Sequence, residues 1–322
     1  MRVAVISGGR SSEHDISLRS GASVADGLRE AGHEALPVLI ERDGRWTRDG
    51  YEIELRAAGG LLDADVAFPV LHGPFGEDGT VQGLLECLDV PYVGPGVLAA
   101  AVTIDKLVFK RLCAFHGFPQ VDFCEAGEEG WRQHAAAMGM PLWVKPSRLG
   151  SSVGISRVSS AEAELDEAVE LARRHDPRVI VEADGGGREV ECSVMGNDDP
   201  EVSQPGEIDA HSDWYDFEAK YEEGGMDLVV PARIGDDAIE RVRELAGHVF
   251  TAVGGTGLAR CDFFVRDDGE VLVNEINTIP GFTSTSVFAK LFEASGRTYP
   301  EVCDRLVQLA IERHRAERSY QF

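Results

Sequence analysis

Lysine is nearly missing from this chain. Among 322 residues and 31 basic side chains, only Lys106, Lys110, Lys145, Lys220 and Lys290 are lysines, so arginine carries almost all the positive charge. A compositional bias towards arginine explains the scarcity, but it leaves five positions worth tracing to their neighbours. Basic residues are also outnumbered, 31 against 56 acidic, for a net charge of −25. The summed field of such a chain repels polyanions, which argues against a general nucleic-acid binder or a binder of anionic membranes; local basic sites are still allowed. No apolar run approaches the roughly 18 residues of a membrane span, and the opening Met-Arg-Val-Ala-Val-Ile-Ser-Gly-Gly is too short for a signal-peptide core. The cysteines (Cys87, Cys113, Cys124, Cys192, Cys261 and Cys303) form no C-x-x-C pair. A chain this long needs no disulfide staples, so they read as reduced, mostly buried thiols of a cytoplasmic protein. No G-X-Y period, internal repeat or low-complexity segment occurs, and no Walker G-x-x-x-x-G-K-[ST]. A hydrophobic share of 43% and a charged share of 27% exclude intrinsic disorder.

What is present alternates. Residues 3–7 read as a buried strand, Glu13–Leu28 as a helix, and Glu34–Ile40 and Val66–Leu71 as further strands. A helix over Thr80–Leu88 and a strand over Pro91–Val93 follow. This β-α-β order predicts a parallel sheet with ligands at the carboxyl ends of its strands. Beyond it the pattern gives a helix over Asp105–His116, a strand over Leu142–Lys145, a Ser- and Gly-rich loop over Pro146–Gly154, a helix over Ala161–Arg174 and a strand over Val179–Glu182. Strands then dominate (Glu189–Met195, Leu258–Val265, Val271–Ile276), with helices over Asp236–Val253, Val287–Glu293 and Val302–Arg315. His211–Gly225 is long, aromatic and acidic without periodicity, as functional loops often are. Boundaries near residues 96 and 183 divide the chain into 1–96, a parallel α/β unit; 97–183, a central unit; and 184–322, a C-terminal unit.

Several motifs bear on chemistry. Gly94-Pro-Gly96-Val-Leu-Ala99 fits G-x-G-x-x-A, yet it closes a β-α-β unit instead of opening one, and Pro95 stiffens it; a structural turn is the better reading. Gly150-Ser-Ser152-Val-Gly154 fits the G-x-S-x-G of serine hydrolases, but Pro146–Leu149 separates it from its strand. Such a loop can equally cradle phosphate with backbone N–H groups and hydroxyls, and Lys145 at the strand end supplies a charge. Arg260-Cys-Asp262 and Asn274-Glu275-Ile-Asn277 lie on strands joined by a turn at Arg266–Glu270. Paired as a hairpin, they place Asp262, Glu275 and Asn277 together, an all-oxygen set suited to Mg²⁺ or Mn²⁺ beside phosphates; a solvated hairpin face is the alternative. Ser286 sits at an N-cap position, which serves capping or a carboxylate site or both. His72, in His72–Gly79, follows a strand at the expected ligand edge.

Taken together, these segments resemble the D-alanine–D-alanine ligases of the ATP-grasp superfamily. The likeness is carried by Gly8–Leu18, His72–Leu85, Pro91–Lys106, Val144–Val158, Val181–Asn197, Tyr215–Tyr221, Ala259–Phe264 and Val273–Glu293. It implies three α/β domains, with ATP held between the central and C-terminal ones, two molecules of D-alanine as substrates, two Mg²⁺ ions and a homodimer. By the same resemblance, Lys106, Lys145, Ser152 and Lys220 contact ATP phosphates. Glu182, Ala183 and Asp184 form the adenine hinge, and Glu189 takes the ribose. Asp262, Glu275 and Asn277 hold metal, while Arg260 and the Gly281 N–H hold the developing oxyanion. Glu13 lies by the first ammonium, Ser286 and the Val287 N–H clamp the second carboxylate, and His72 lies beside the second substrate. Glu13, Ser151 and Tyr221 form a triad that pins a lid, residues 211–225. Three departures stand out: glycines at 185–187 where the hinge often carries a bulky residue, Trp214 where the lid often has Phe, and Val287 where Leu or Met is frequent. The rivals are ligases making D-alanyl-D-lactate or D-alanyl-D-serine, a non-catalytic ATP-binding regulator, and a serine hydrolase acting through Ser152.

Overall fold

The computed structural model of the chain describes residues 1–159, 162–210 and 226–321. The first sheet is built from β1 (Arg2–Gly8), β2 (Glu34–Ile40), β3 (Trp46–Arg48), β4 (Tyr51–Glu52) and β5 (Val66–Pro69), in the order β4-β3-β2-β1-β5. β1 runs parallel to both β2 and β5, while β3 and β4 extend the edge as an antiparallel pair. β1 is apolar on both faces because both are covered. Val3 and Val5 pack with Val24 and Leu28 of α1 (His14–Glu30), and Ala4 and Ile6 with Val81 and Leu85 of α2 (Thr80–Leu88).

The region 91–104 departs from expectation. Pro91–Val93 forms no strand but a single parallel bridge, Ala67 to Tyr92. Pro91 has no N–H to give, and Gly94 turns the chain at φ +105°. A helix unforeseen in the sequence, α3 (Val97–Ile104), follows at once; then Asp105 caps α4 (Lys106–His116) by accepting from the Val108 N–H at 3.2 Å. The Gly94 carbonyl accepts from buried Arg313 at 2.6 Å, a packing contact that suits a structural turn.

The second sheet contains β6 (Phe123–Glu125), β7 (Leu142–Pro146), β8 (Ser156–Val158) and β9 (Val179–Ala183), in the order β6-β9-β7-β8. Leu142, Val144, Val179 and Val181 pack beneath α5 (Trp131–Met138) and α6 (Glu162–Arg173). Alternation therefore sends Trp143, Lys145 and Glu182 to the opposite face.

The third sheet is antiparallel: β10 (Arg188–Gly196), β12 (Gly206–Ala210), β13 (Met226–Val229), β14 (Gly257–Val265) and β15 (Val271–Asn277) run in the order β13-β12-β10-β14-β15, and β11 (Glu201–Val202) pairs with β10. Val190, Cys192, Ala259, Cys261 and Phe263 pack on α7 (Asp236–Ala252). That leaves Glu189, Glu191, Arg260, Asp262 and Phe264 on the other face.

After α8 (Val287–Ala294), the last helix, α9 (Tyr299–Glu317), returns to the first sheet, where Leu306, Val307 and Ala310 share a core with Val3, Val5 and Phe68. The same core holds Phe282, whose ring lies 5.6 Å from Phe68 and 5.3 Å from Phe288. This anchor fixes the loop 278–286 over the carboxyl edge of the first sheet.

Candidate active site

Two cavities meet between these layers. The larger, about 380 Å³, is lined by Glu13, His72, Glu77, Arg260, Gly281 and Ser286 among others. The smaller, about 250 Å³, is lined by Trp143, Lys145, Ser152, Glu182, Glu189 and Phe264 among others. Lys106, Gly150, Ser151 and Glu275 line both.

Side chains reach the larger cavity from three loops. Glu13 begins α1 but does not cap it; its carboxylate accepts from the Ser151 hydroxyl. That bond ties the first sheet's loop to the Gly/Ser loop of the second, as the proposed triad requires, while Tyr221 lies outside the described residues. Gly73 has φ +73°, and a Cβ there would meet Glu13 Oε2 at 2.9 Å, so glycine is needed to admit the carboxylate. His72 is buried, with Nδ1 3.2 Å from the Ile279 carbonyl and Nε2 3.3 Å from Ser20 Oγ. Burial pushes its pKa down. A neutral ring that donates from Nδ1 and accepts at Nε2 satisfies both contacts and joins the loop 72–79 to the loop 278–286. Ser286 does occupy the N-cap of α8, but its hydroxyl donates to the Thr283 carbonyl at 2.8 Å and does not cap the helix. The plain capping role of its side chain is thus corrected: the hydroxyl turns to the Thr283 carbonyl and accepts from no helix N–H.

Glu77 was not singled out from the sequence, although it lies in the His72–Gly79 segment. It is buried, accepts from the Gly73 N–H at 2.6 Å, and its pKa is pushed up to about 8 by burial and then by the charge of Glu13. A folded-state pKa raised above the unfolded value gives stability that is full below about 4.5 and lost as pH rises through about 8. Gln keeps the acceptor for Gly73 and does not titrate. The stability advantage of Glu77→Gln over wild type is therefore expected to grow between pH 5 and pH 8, by on the order of 2 kcal/mol. Thermal melts of the ligand-free proteins check this; parallel pH profiles contradict it.

In the smaller cavity, Lys145 reaches Glu182 across a strand diagonal, 2.6 Å from Oε2. Burial alone would lower the Lys145 pKa, but Glu182 outweighs it and holds it above the ordinary value. The Glu182 carboxylate is shared with Lys110, 2.9 Å from Oε1, so the side chain faces lysines while Ala183 and Asp184 line the cavity beyond it. Asp184 accepts from the Trp143 indole at 2.7 Å. The glycines that follow are not slack. A Cβ on Gly185 would collide with the Phe264 ring, and the Gly185 carbonyl accepts from Arg266 at 3.1 Å. Phe264 of β14 lines this wall beside the glycines. Among the described residues no histidine lines the cavity beside Ser152, so the imidazole that usually activates a serine nucleophile is not found there.

The hairpin expected from the sequence forms, with Asp262 opposite Glu275 and Arg260 opposite Asn277. The register shifts at Asp262/Phe263, and the extra residue, Asn274, lines the smaller cavity. Arg260 is held between Glu191, at 2.9 Å, and Asp262, at 2.7 Å through two nitrogens. Asp262 lines neither cavity, while Glu275 lies 3.5 Å from Lys106 Nζ, which also donates to the Leu149 carbonyl at 2.8 Å. Among the described residues, no group of three or more His, Cys, Asp or Glu forms a cage of its own. Two carboxylates and an amide oxygen nevertheless fit a hard dication such as Mg²⁺, which takes one or two carboxylates and completes its shell with phosphate oxygens and water. Lys220 and the whole segment 211–225, Trp214 included, lie outside the described residues. Reasoning from the sequence missed Lys110, Glu77 and Glu191. Spacing could have found two of them, since Lys110 is four residues from Lys106 on one helix face and Glu191 two from Glu189 on one strand face.

The layered sheets and the cleft between them define an ATP-grasp fold. Residues 2–95 match the family described as D-ala D-ala ligase N-terminus, and residues 112–308 match D-ala D-ala ligase C-terminus. The D-alanine–D-alanine ligase of Deinococcus radiodurans is 45% identical, covering 97% of this chain and 98% of its own. That of Bacillus licheniformis is 42% identical, covering 97% and 96%. Among solved structures, the D-alanine-D-alanine ligase from Coxiella burnetii superposes with a TM-score of 0.86 at 34% identity, covering 99% of this chain and 97% of that one. The VanG D-Ala:D-Ser ligase from Enterococcus faecalis gives 0.85 at 33% identity, covering 96% and 99%. The chain belongs to the D-alanine–D-alanine ligase family, and it is an enzyme of the ligase class.

Proposed function

We propose that the chain joins two molecules of D-alanine into D-alanyl-D-alanine at the expense of ATP, for peptidoglycan precursor synthesis. The observation that carries this is the meeting of the two cavities at Lys106, Gly150, Ser151 and Glu275. A phosphoryl group bound through the smaller cavity and a carboxylate bound in the larger one come together there. The carboxylate of the first D-alanine attacks the γ-phosphate and becomes an acyl phosphate. The amine of the second attacks that carbonyl, and phosphate leaves from the tetrahedral intermediate.

The residues have matching tasks. Lys106, Lys145, Ser152 and Lys220 hold the phosphates; Ala183 and Asp184, with Glu182 behind them, form the adenine hinge; Glu189 binds ribose. Asp262, Glu275 and Asn277 would hold two Mg²⁺ ions, with Mn²⁺ a substitute, and the metal neutralises phosphate charge for transfer. Glu13 faces the first ammonium, with Ser151 fixing its carboxylate and Tyr221 completing the triad. Arg260 and the Gly281 N–H stabilise the oxyanion, and Ser286 and the Val287 N–H hold the second carboxylate. His72, with both ring nitrogens engaged, positions the two loops. An acyl phosphate must be kept from water, and the segment 211–225, expected from the sequence to serve that end, lies outside the described residues.

We also take residues 1–96, 97–183 and 184–322 as the three units, with α9 the tie that fastens the third to the first. A homodimer in the cytoplasm belongs to the same proposal; six cysteines carried as free thiols suit a reducing compartment. No helix among the described residues is long and apolar enough to cross a membrane.

The test is ATP-dependent phosphate release with D-Ala, L-Ala, D-Ser and D-lactate, each product identified by mass. Release with D-Ala and formation of the D-Ala dipeptide are expected. Preference for D-Ser or D-lactate as second substrate would transfer the chain to one of the rival ligases, and release without any second substrate would argue for an ATPase.

A further inference from the structure

We propose that Lys110, a residue that reaches neither cavity, sets the charge that Lys145 offers to the nucleotide's phosphates, and is thus a positioning residue of the phosphate site. The inference rests on the reading that the smaller cavity binds ATP.

Lys110 is 1% exposed and is absent from the lining of both cavities. Its Nζ lies 2.9 Å from one oxygen of Glu182, and Lys145 Nζ lies 2.6 Å from the other. Glu182 is itself 3% exposed, so water screens this arrangement little. Burial alone would push the Glu182 pKa up, yet the two lysines hold it down to about 2, and the carboxylate stays charged at any working pH.

The charge arithmetic follows. One carboxylate between two lysines leaves a single positive charge in surplus, and only Lys145 of the three carries that surplus to the cavity as a cation. Without Lys110, Glu182 and Lys145 become a closed, neutral pair. Lys145 would then sit against its own counter-ion, and turning to an arriving phosphate would leave the buried Glu182 carboxylate without a partner. Lys106 and Lys110 lie four residues apart on one face of α4, so a single helix sends one lysine to the cavity junction and the other to Glu182.

A buried ion pair that served stability alone would weaken every ligand or none. A charge-setting role affects the phosphates and spares the base. The readout is therefore the preference for Mg²⁺·AMP-PNP over adenosine, each dissociation constant measured by calorimetry. Wild type is expected to prefer AMP-PNP. Lys110→Met should lose about tenfold or more of that preference, the scale of one charge-assisted contact, with adenosine affinity unchanged. Lys110→Met/Glu182→Gln restores the single positive charge, and its preference should return to within about threefold of wild type. An unchanged preference in Lys110→Met, an equal weakening of both ligands, or a double variant no better than the single one overturns the proposal. If Lys110→Met does not fold, the double variant decides alone, and a tenfold loss of preference in it is the contrary result. A wild type that does not prefer AMP-PNP to adenosine overturns the ATP reading itself, and this proposal with it.

Discussion

Glu275→Gln is expected to cost two to three orders of magnitude in turnover while the protein stays folded. Glu275 lines both cavities and stands directly across the hairpin from Asp262. Gln has the same shape but no charge, so, of the two hairpin carboxylates proposed to hold metal, the one that lines the cavity junction is lost. Metal-assisted charge stabilisation amounts to several kcal/mol; losing roughly 3–4 kcal/mol of it accounts for that drop. The fold should survive because the ion pair with Lys106 is long, 3.5 Å, and Glu275 is about one-third exposed, so the pair adds little to stability. Phosphate release at saturating ATP, together with a thermal melt, makes the comparison. A folded variant with near-normal release removes Glu275 from the reaction.

Arg260→Lys is the second large effect. The guanidinium uses its planar fork to bridge Glu191 and Asp262 at once, and the remaining face lines the larger cavity. Lysine keeps the charge, so neither buried carboxylate is stranded, but it cannot bridge both and still present a donor in the same place. Loss of one prearranged oxyanion donor costs about 100-fold or more in turnover. The loss falls on the amide-forming step, not on phosphoryl transfer. The variant should therefore release more phosphate than dipeptide, and its affinity for AMP-PNP should be close to wild type. A coupling ratio and turnover both near wild type would contradict the oxyanion role.

How much of this was legible depended on range. Buried strands are continuous apolar runs, so β1, β5 and β7 could be read along with the loops they deliver, Gly8–Glu13, His72–Gly79 and Pro146–Gly154. The partnership of Asp262 with Glu275 followed from a hairpin with a short turn. The bulge at Asn274 was visible only as a slip of phase, since the core positions run Val271, Val273 and then Ile276. Strict alternation overlooks that slip. The short strands β3, β4 and β11 carry too few residues to show a period, and β12 and β13 flank the aperiodic stretch 211–225. α3 was hidden behind the turn at Gly94–Gly96, whose glycines and proline look like loop.

Contacts between distant segments were out of reach. Nothing local in the sequence says that Lys110 shares Glu182 with Lys145, or that Phe264 from β14 closes over Gly185. The glycine run looked slack for that reason: its constraint comes from a ring 79 residues further on. His72 likewise had no visible partner, because Ser20 and Ile279 lie far from it in the chain.

The central claim is that ATP activates the carboxylate of D-alanine before the peptide bond forms. D-alanine labelled with oxygen-18 in its carboxylate, incubated with the protein, ATP and Mg²⁺, tests it by mass analysis of the released phosphate. Attack by the carboxylate on the γ-phosphate and departure of that phosphate from the tetrahedral carbon transfer one labelled oxygen per dipeptide. The account predicts phosphate carrying one oxygen-18 in step with D-alanyl-D-alanine. Unlabelled phosphate accompanying the dipeptide would contradict it.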